Sequence, residues 1–217
     1  MPRFFVGADQ ISDKDIVITG TDVNHIRNVL RMTPGEEVTV SDGQGMDYFC
    51  RIAELTKEEV RLDVVDSWHS FVELPAKIYL FQGLPKADKM ELIIQKAVEL
   101  GVYEIVPVAT KRAVVKLDSK KEEKKRLRWQ SIAESAAKQA GRALIPQIAP
   151  CISFEKALRM CNGLDAALIP YEKAEGMQHA RDQVRALHGK HSIGIFIGPE
   201  GGFEESEIEA ARAAGAI

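Results

Sequence analysis

Cysteine is scarce: Cys50, Cys151 and Cys161 are the only three, with no C-x-x-C spacing among them. That excludes a disulfide framework and a zinc knuckle and fits a reducing, cytoplasmic setting. No apolar run approaches the length of a membrane span, and the start Met1-Pro2-Arg3-Phe4-Phe5-Val6 lacks the cationic-then-apolar pattern of an export signal, so no membrane partner is expected. The five histidines, His25, His69, His179, His188 and His191, are scattered. With no H-E-x-x-H, no His/Cys cluster and no G-x-S-x-G elbow, neither a bound metal nor a serine nucleophile is expected. Net charge is small, 29 Lys and Arg against 32 Asp and Glu, with a pI near 6.0. What is present is a globular composition, 45% hydrophobic and 28% charged, which excludes a disordered tail or a fibrous polymer.

Residues 1 to about 70 read as short strands broken by turns. Ile16-Val17-Ile18, Val38-Thr39-Val40, Tyr48 to Ile52 and Val60 to Val64 are separated by Pro34-Gly35, Gly43-Gln44-Gly45 and Lys57-Glu58-Glu59, a pattern that suggests a small barrel. One helix interrupts it, with Asp22 as the expected N-cap and Val23, Ile26, Val29 and Leu30 as the expected buried stripe. Arg27 and Arg31 then lie one turn apart on the other side, placed either to touch phosphate or simply to face solvent.

From Lys77 onward strands alternate with full-length helices, the grammar of an α/β domain with a mainly parallel sheet. Strand 77–81 leads through Gly83-Leu84-Pro85 to a helix with Asp88 and Glu91 in capping-box spacing and Gly101 past its end. Val102 to Val108 follows as a strand, and a long helix runs from Ser119 to Gly141 with Trp129, Ile132, Ala133, Ala136, Ala137 and Ala140 on one face. Two further strands, 166–169 and 192–197, flank a polar helix around Met177 to Leu187. The expected division is 1–70 and 71–217.

Charge is distributed unevenly. Between Lys111 and Arg142 lie eleven basic residues and four acidic ones, a segment of +7 in a chain of −3. Such a stretch is the electrostatic footprint of a nucleic-acid surface, or a solvated lysine-rich helix. Arg142 stands apart, at a helix end beside Ala143-Leu144-Ile145-Pro146, and is the arginine expected in a site.

The sharpest motif is the strand at 193–197 followed by Gly198-Pro199-Glu200-Gly201-Gly202-Phe203 and a helix. Glycines at the carboxyl end of a strand let the backbone approach a ligand in the usual α/β crevice. G-x-G-x-x-G and G-x-x-x-x-G-K-[ST] are absent, and Glu200 with Glu204, Glu205 and Glu207 disfavours a diphosphate. An uncharged or cationic nucleotide-like ligand such as S-adenosylmethionine suits the turn better; the plain alternative is a connecting turn with no ligand.

Together these residues resemble the bacterial 16S ribosomal RNA (uracil-N3) methyltransferases of the SPOUT, or knotted α/β, class. The resemblance rests on Arg3-Phe4-Phe5, His25 to Arg31, Lys86 to Glu91 with Ala97 to Gly101, Arg128-Trp129, Gln139 to Arg142 with Pro146, and Ile197 to Phe203. It implies an N-terminal PUA-like β-barrel, a C-terminal trefoil-knotted domain binding S-adenosyl-L-methionine, and a homodimer. The implied substrate is one uridine in the decoding region of 16S rRNA in the small subunit. The implied cofactor residues are Ile169, Pro170, Tyr171 and Glu172 after one strand, and Ile197, Gly198, Pro199, Glu200, Gly201 and Gly202 after another. RNA-facing candidates are Arg3, His25, Arg27, Arg31, Gln139 and Arg142, with Lys124, Lys125 and Arg128 from the basic helix; Arg142 and Glu200 are the catalytic candidates, the general base itself staying open.

In the family's pattern a further strand, glycine loop and helix follow, completing knot and adenine pocket. The expectation is therefore that the 217-residue form binds cofactor poorly. The rival function is a non-catalytic RNA-binding protein; a nucleotide-phosphate enzyme is disfavoured by the acidic turn.

Overall fold

The computed structural model describes residues 1–113, 119–171 and 177–217. The chain forms two compact units, Met1–Glu73 with Ala137–Ile145, and Leu74–Ala136 with Pro146–Ile217. Among the described residues no helix is long and apolar enough to cross a membrane.

The first unit is a five-stranded sheet of β1 (Arg3–Phe5), β2 (Asp15–Thr19), β3 (Glu37–Ser41), β4 (Met46–Leu55) and β5 (Glu59–His69), ordered β1-β3-β4-β5-β2. Only β1 and β3 pair in parallel; the other neighbours are antiparallel. Period-two alternation puts Ile16 and Ile18 of β2 and Val60 and Leu62 of β5 into one apolar core. Residues 137–145 complete this unit. Gln44 and Leu144 form an antiparallel bridge, Ile145 N–H donates to Gly43 O (3.4 Å), and Ser41 Oγ donates to Ala143 O (3.0 Å). This departs from the expected division, which left the segment wholly with the second half of the chain.

The helix between β2 and β3 also departs from expectation. α1 (Thr21–Asn24) is capped by Gly20, at φ 73°, and passes directly into a π-turn at His25–Val29. Leu30 N–H reaches back to His25 O (2.9 Å) and Met32 N–H to Ile26 O (3.0 Å). The wider turn takes up an extra residue after Ile26, so the positions that follow fall out of a 3.6-residue count. Val23 and Ile26 stay buried, Met32 takes the next core position, and Val29 and Leu30 emerge 64% and 40% exposed.

The second unit holds β6 (Lys77–Gly83), α2 (Lys89–Glu99), β7 (Glu104–Ala109), α3 (Ser119–Gln139, whose last turn falls in the first unit), β8 (Gln147–Ile148) and β9 (Ile152–Ser153). They are followed by α4 (Phe154–Cys161), β10 (Ala166–Leu168), α5 (Met177–Ala186), β11 (Ser192–Ile197) and α6 (Glu205–Ala213). The sheet is parallel throughout, in the order β10-β11-β6-β7-β8, with β9 also on β7. Ile217 adds a further register position outside β10, donating N–H to Ala167 O and accepting from Ile169 N–H, both at 2.9 Å. The core is aromatic at its centre, with Phe81 stacked on Phe196 (4.7 Å) and the edge of Phe154 against Phe196. α3 buries Trp129, Ala133, Ala136 and Ala137, leaves Ala140 exposed, and ends at Gly141 (φ 67°), where Arg142 N–H closes on Ala137 O.

Candidate functional site

Because β6, β7, β10 and β11 run the same way, their carboxyl ends lie along one edge of the sheet, where ligands of open α/β folds collect. The Gly198–Phe203 turn leaves β11 at that edge and opens α6. Its shape depends on missing side chains. A Cβ on Gly198 would stand 3.1 Å from Gly202 backbone atoms, and Gly202 itself has φ 66°, with its N–H bonded to Pro199 O (2.8 Å). A Cβ on Gly83, at the end of β6, would stand 2.7 Å from Pro199 Cδ and 2.9 Å from Pro199 N. Strand end and turn therefore touch backbone to backbone. The buried Gln82 amide reinforces the contact, donating to Gly83 O (2.9 Å) and, at longer range, to Ile197 O and Gly198 O.

The loops after β6 and β7 grip this turn by charge. From the β6 side, Lys86 N–H (3.2 Å) and Lys89 Nζ (2.9 Å) meet the Glu200 carboxylate. From the β7 side, Arg112 binds Gly201 O and Glu204 Oε1, each at 2.7 Å. Lys111 donates its N–H to buried Glu207 (2.9 Å) and its ammonium to Ser206 Oγ (2.8 Å). Glu207 also accepts the N–H of Glu204, which caps α6. The Lys89 hydrogen bond and neighbouring N–H groups hold the Glu200 carboxyl below its ordinary range, and Arg112 does the same for Glu204.

Two consequences follow for the sequence's candidates. Glu200 is a weakened base, its lone pairs already engaged, so the acidic character that argued against a diphosphate is largely neutralised within the loops. Of the basic stretch, Arg112 is paired with Glu204, and Lys111 is held at the turn by its N–H on Glu207 and its ammonium on the Ser206 hydroxyl. Ile169, Tyr171, Phe203 and Ala216 belong to the same apolar cluster, so the segment after β10 and the glycine turn share one floor; Pro170 and part of Ile197 are exposed beside it. Glu172 lies outside the described residues, as do Lys116 and Asp118 of the basic stretch.

The remaining candidates divide by unit. Arg142 belongs to the first unit, only 7% exposed and ion-paired with Glu73, whose carboxylate also accepts the N–H groups of Ala143 (2.9 Å) and Leu144 (3.1 Å). Arg3 is paired with Asp47 (2.7 Å), which is 1% exposed, and reaches Arg142 O (3.5 Å). Both arginines hold this unit's own structure together. His25, Arg27, Arg31 and Gln139 are exposed in the first unit. On α3, Lys124 and Lys125 are exposed without an acidic partner among the described residues, whereas Arg128 pairs with Glu91 (2.8 Å).

Sequence reasoning missed Gln82, Gly83, Lys89 and the grip of Lys111 and Arg112. The available signal was sign complementarity: Lys-Arg just after one strand, Glu-Glu-Ser-Glu at the start of the helix that follows another. Among the described residues no three His, Cys, Asp or Glu side chains group to hold a metal.

Comparison with known proteins agrees with this geometry. A family model described as an RNA methyltransferase domain matches residues 72–217, and one described as an RNA methyltransferase PUA domain matches residues 18–65. The chain is 39% identical to the ribosomal RNA small subunit methyltransferase E of Bacillus subtilis, covering 96% of this chain and 84% of that protein. It is 32% identical to the protein of that name from Mesomycoplasma hyopneumoniae, covering 99% and 88%. A crystal structure of the Neisseria gonorrhoeae protein of the same name, bound to S-adenosyl methionine, superposes with a TM-score of 0.82 at 31% identity, covering 100% of this chain and 86% of that one. The chain belongs to the ribosomal RNA small subunit methyltransferase E family.

Proposed function

We propose that this protein methylates N3 of one uridine in the decoding region of 16S rRNA, in the small ribosomal subunit, using S-adenosyl-L-methionine. The observation carrying this reading is the glycine turn of the second unit, clamped from both sides at the carboxyl ends of parallel strands in a chain of this family. The turn fits the cofactor: nothing lies within 4 Å of where a Cβ would sit on Gly202, and its carboxylates are already paired. Ile169, Pro170, Tyr171, Ile197 and Gly198 to Gly202 would line the site. When bound, the cofactor supplies an electrophilic methyl group.

The chain's own work is to hold the turn open and to steady an anionic uracil, because the imino N–H is far less acidic than a carboxyl group. Glu200, held in its ionised form by Lys89, serves as an anchor for the turn and not as the base. Lys86 has an exposed ammonium with no acidic partner among the described residues and an N–H bonded to Glu200. We assign it to the developing negative charge, in place of Arg142, whose charge Glu73 already balances. The family resemblance supports the finer architecture we propose: a PUA-like barrel in the first unit, a trefoil knot in the second, and a cytoplasmic homodimer.

The test is methyl transfer from labelled cofactor to small subunits lacking the modification. Label confined to uridine N3 is expected, with Lys86→Met lowering turnover by roughly 10²-fold, the scale of one lost charge donor. Binding of the cofactor without transfer would defeat the assignment. Calorimetry separates the rival role of bare RNA binding, which produces no heat with cofactor.

A further inference from the structure

The first unit is acidic, with fourteen Asp and Glu against nine Lys and Arg, net −5. Four of its six arginines are ion-paired inside the unit: Arg3 with Asp47, Arg51 with Glu37, Arg61 with Glu59 and Arg142 with Glu73. Arg27 and Arg31 are the two with no acidic partner among the described residues. Between them in the chain stand Val29 and Leu30, turned outward by the π-turn, and Arg31 follows in left-handed backbone at φ 55°.

A π-turn is uncommon and concentrates at functional sites, and left-handed backbone is unfavourable for a residue with a Cβ. Here the two together bring about one local result: exposed aliphatic surface beside two unpaired guanidinium groups. We propose that residues 27–31 form a seat for one unstacked nucleotide of single-stranded RNA. Its phosphate lies on Arg27 and Arg31, and the face of its base lies against Val29 and Leu30.

Charge complementarity selects this occupant. An acidic surface repels a polyanion except beside unpaired cations. Of the unit's other such cations, Lys14 is flanked in the chain by Asp13 and Asp15, and Lys57 is followed by Glu58 and Glu59, so the 27–31 spot suits one phosphate and not a long backbone track. Apolar side chains need a base whose face is free, which a stacked duplex does not offer. The inference rests on the RNA substrate proposed above and goes further by naming the conformation recognised and the side chains that recognise it.

The experiment titrates the intact chain with a short fluorescein-labelled uridine-rich RNA, single-stranded or annealed to its complement, and follows anisotropy over a range of salt. Val29→Ser with Leu30→Ser, both surface positions, should weaken single-strand binding roughly five- to tenfold, the scale of losing one base contact, with the salt slope unchanged. Arg27→Gln with Arg31→Gln should also weaken binding but lower the salt slope by roughly 0.7, the value for one single-strand phosphate. Arg27→Lys with Arg31→Lys should restore the slope, and circular dichroism confirms that each variant is folded.

Unchanged affinity in the Val29/Leu30 variant overturns the seat. So does equally tight duplex binding. A change in self-association by sedimentation with no effect on RNA also overturns it, making the face a protein contact. Methyl transfer is scored separately: its absence with the RNA pattern intact removes the methylation reading alone, and normal transfer without the pattern removes the seat alone.

Discussion

Gly83 shows how a single missing methyl group shapes the candidate site. Its position at the end of β6 was visible in the sequence only as a punctuation mark before Leu84-Pro85; that it faces Pro199, more than a hundred residues on, follows from the parallel pairing of β6 with β11. Pro199 Cδ and N stand 2.7 and 2.9 Å from where a Cβ would be, and main chain yields less readily than a flexible side chain. Gly83→Ala should therefore displace the turn and destabilise the fold by about 1–3 kcal/mol, the usual cost of overpacking. In methyl-transfer assays the effect is expected mainly in KM for the cofactor, with a smaller change in kcat. A wild-type KM, together with an unchanged urea midpoint, would show that turn and strand end move independently.

The three loops at the sheet's carboxyl edge hold one another by charge, which makes them sensitive to acid. Both Glu200 and Glu204 titrate below their ordinary range because of Lys89 and Arg112. A depressed pKa means that the ionised carboxylates stabilise the folded loops fully above the normal carboxylate pKa, and that this contribution is lost as pH falls through the depressed values. Cofactor affinity should thus hold steady from neutrality to about pH 5 and fall below about pH 4. Glu200→Gln should start weaker at neutral pH and show a shallower fall; a parallel fall in the variant would exclude Glu200 from the effect. Since both groups are largely solvated, added salt should blunt the difference.

Among the elements, β6, α2, α3 and β11 were legible because each carries its own pattern: an apolar run, a 3.6-residue stripe, or a closing glycine. α4 was not read, although Ser153 caps it and Phe154, Ala157, Leu158 and Cys161 repeat at helical spacing. β8 and β9, of two residues each, are too short to show any period. The stripe through Val23 and Ile26 was read correctly as far as the helix stayed regular. It failed at Val29 and Leu30 because a 3.6-residue count has no place for a π-turn.

At the scale of the molecule, the decisive fact is that Arg142 and its partner Glu73 are 69 residues apart in sequence. Arg142 was legible as an unusual arginine at a helix end; its role was not, since nothing local marks Glu73 as the group awaiting it. The Glu73 carboxylate binds the Arg142 guanidinium and two backbone N–H groups, and so fastens residues 142–144 within the first unit. Glu73→Ala would remove a carboxylate from a buried arginine and from two backbone N–H groups, and should cost about 2–3 kcal/mol, the lower end for a pair whose carboxylate is still partly wetted. Urea unfolding of the whole chain measures the loss, and limited proteolysis should find new cuts within 137–145. Stability and cleavage both at wild-type level would mean that the Gln44–Leu144 bridge and the Ser41 contact suffice alone.

The same segment sets a timetable for synthesis. The first unit begins at Met1, yet its last piece ends at Ile145, so a nascent chain that has already released all five strands of that sheet must wait through residues 74–136 before Arg142 arrives. Until then Glu73, and the backbone donors and acceptors that residues 143–145 will meet, have only water for company. Closing so distant a contact is slow compared with forming a hairpin. The newborn protein therefore passes through a stage in which all five strands of its amino-terminal sheet are available while the segment that closes the unit is not.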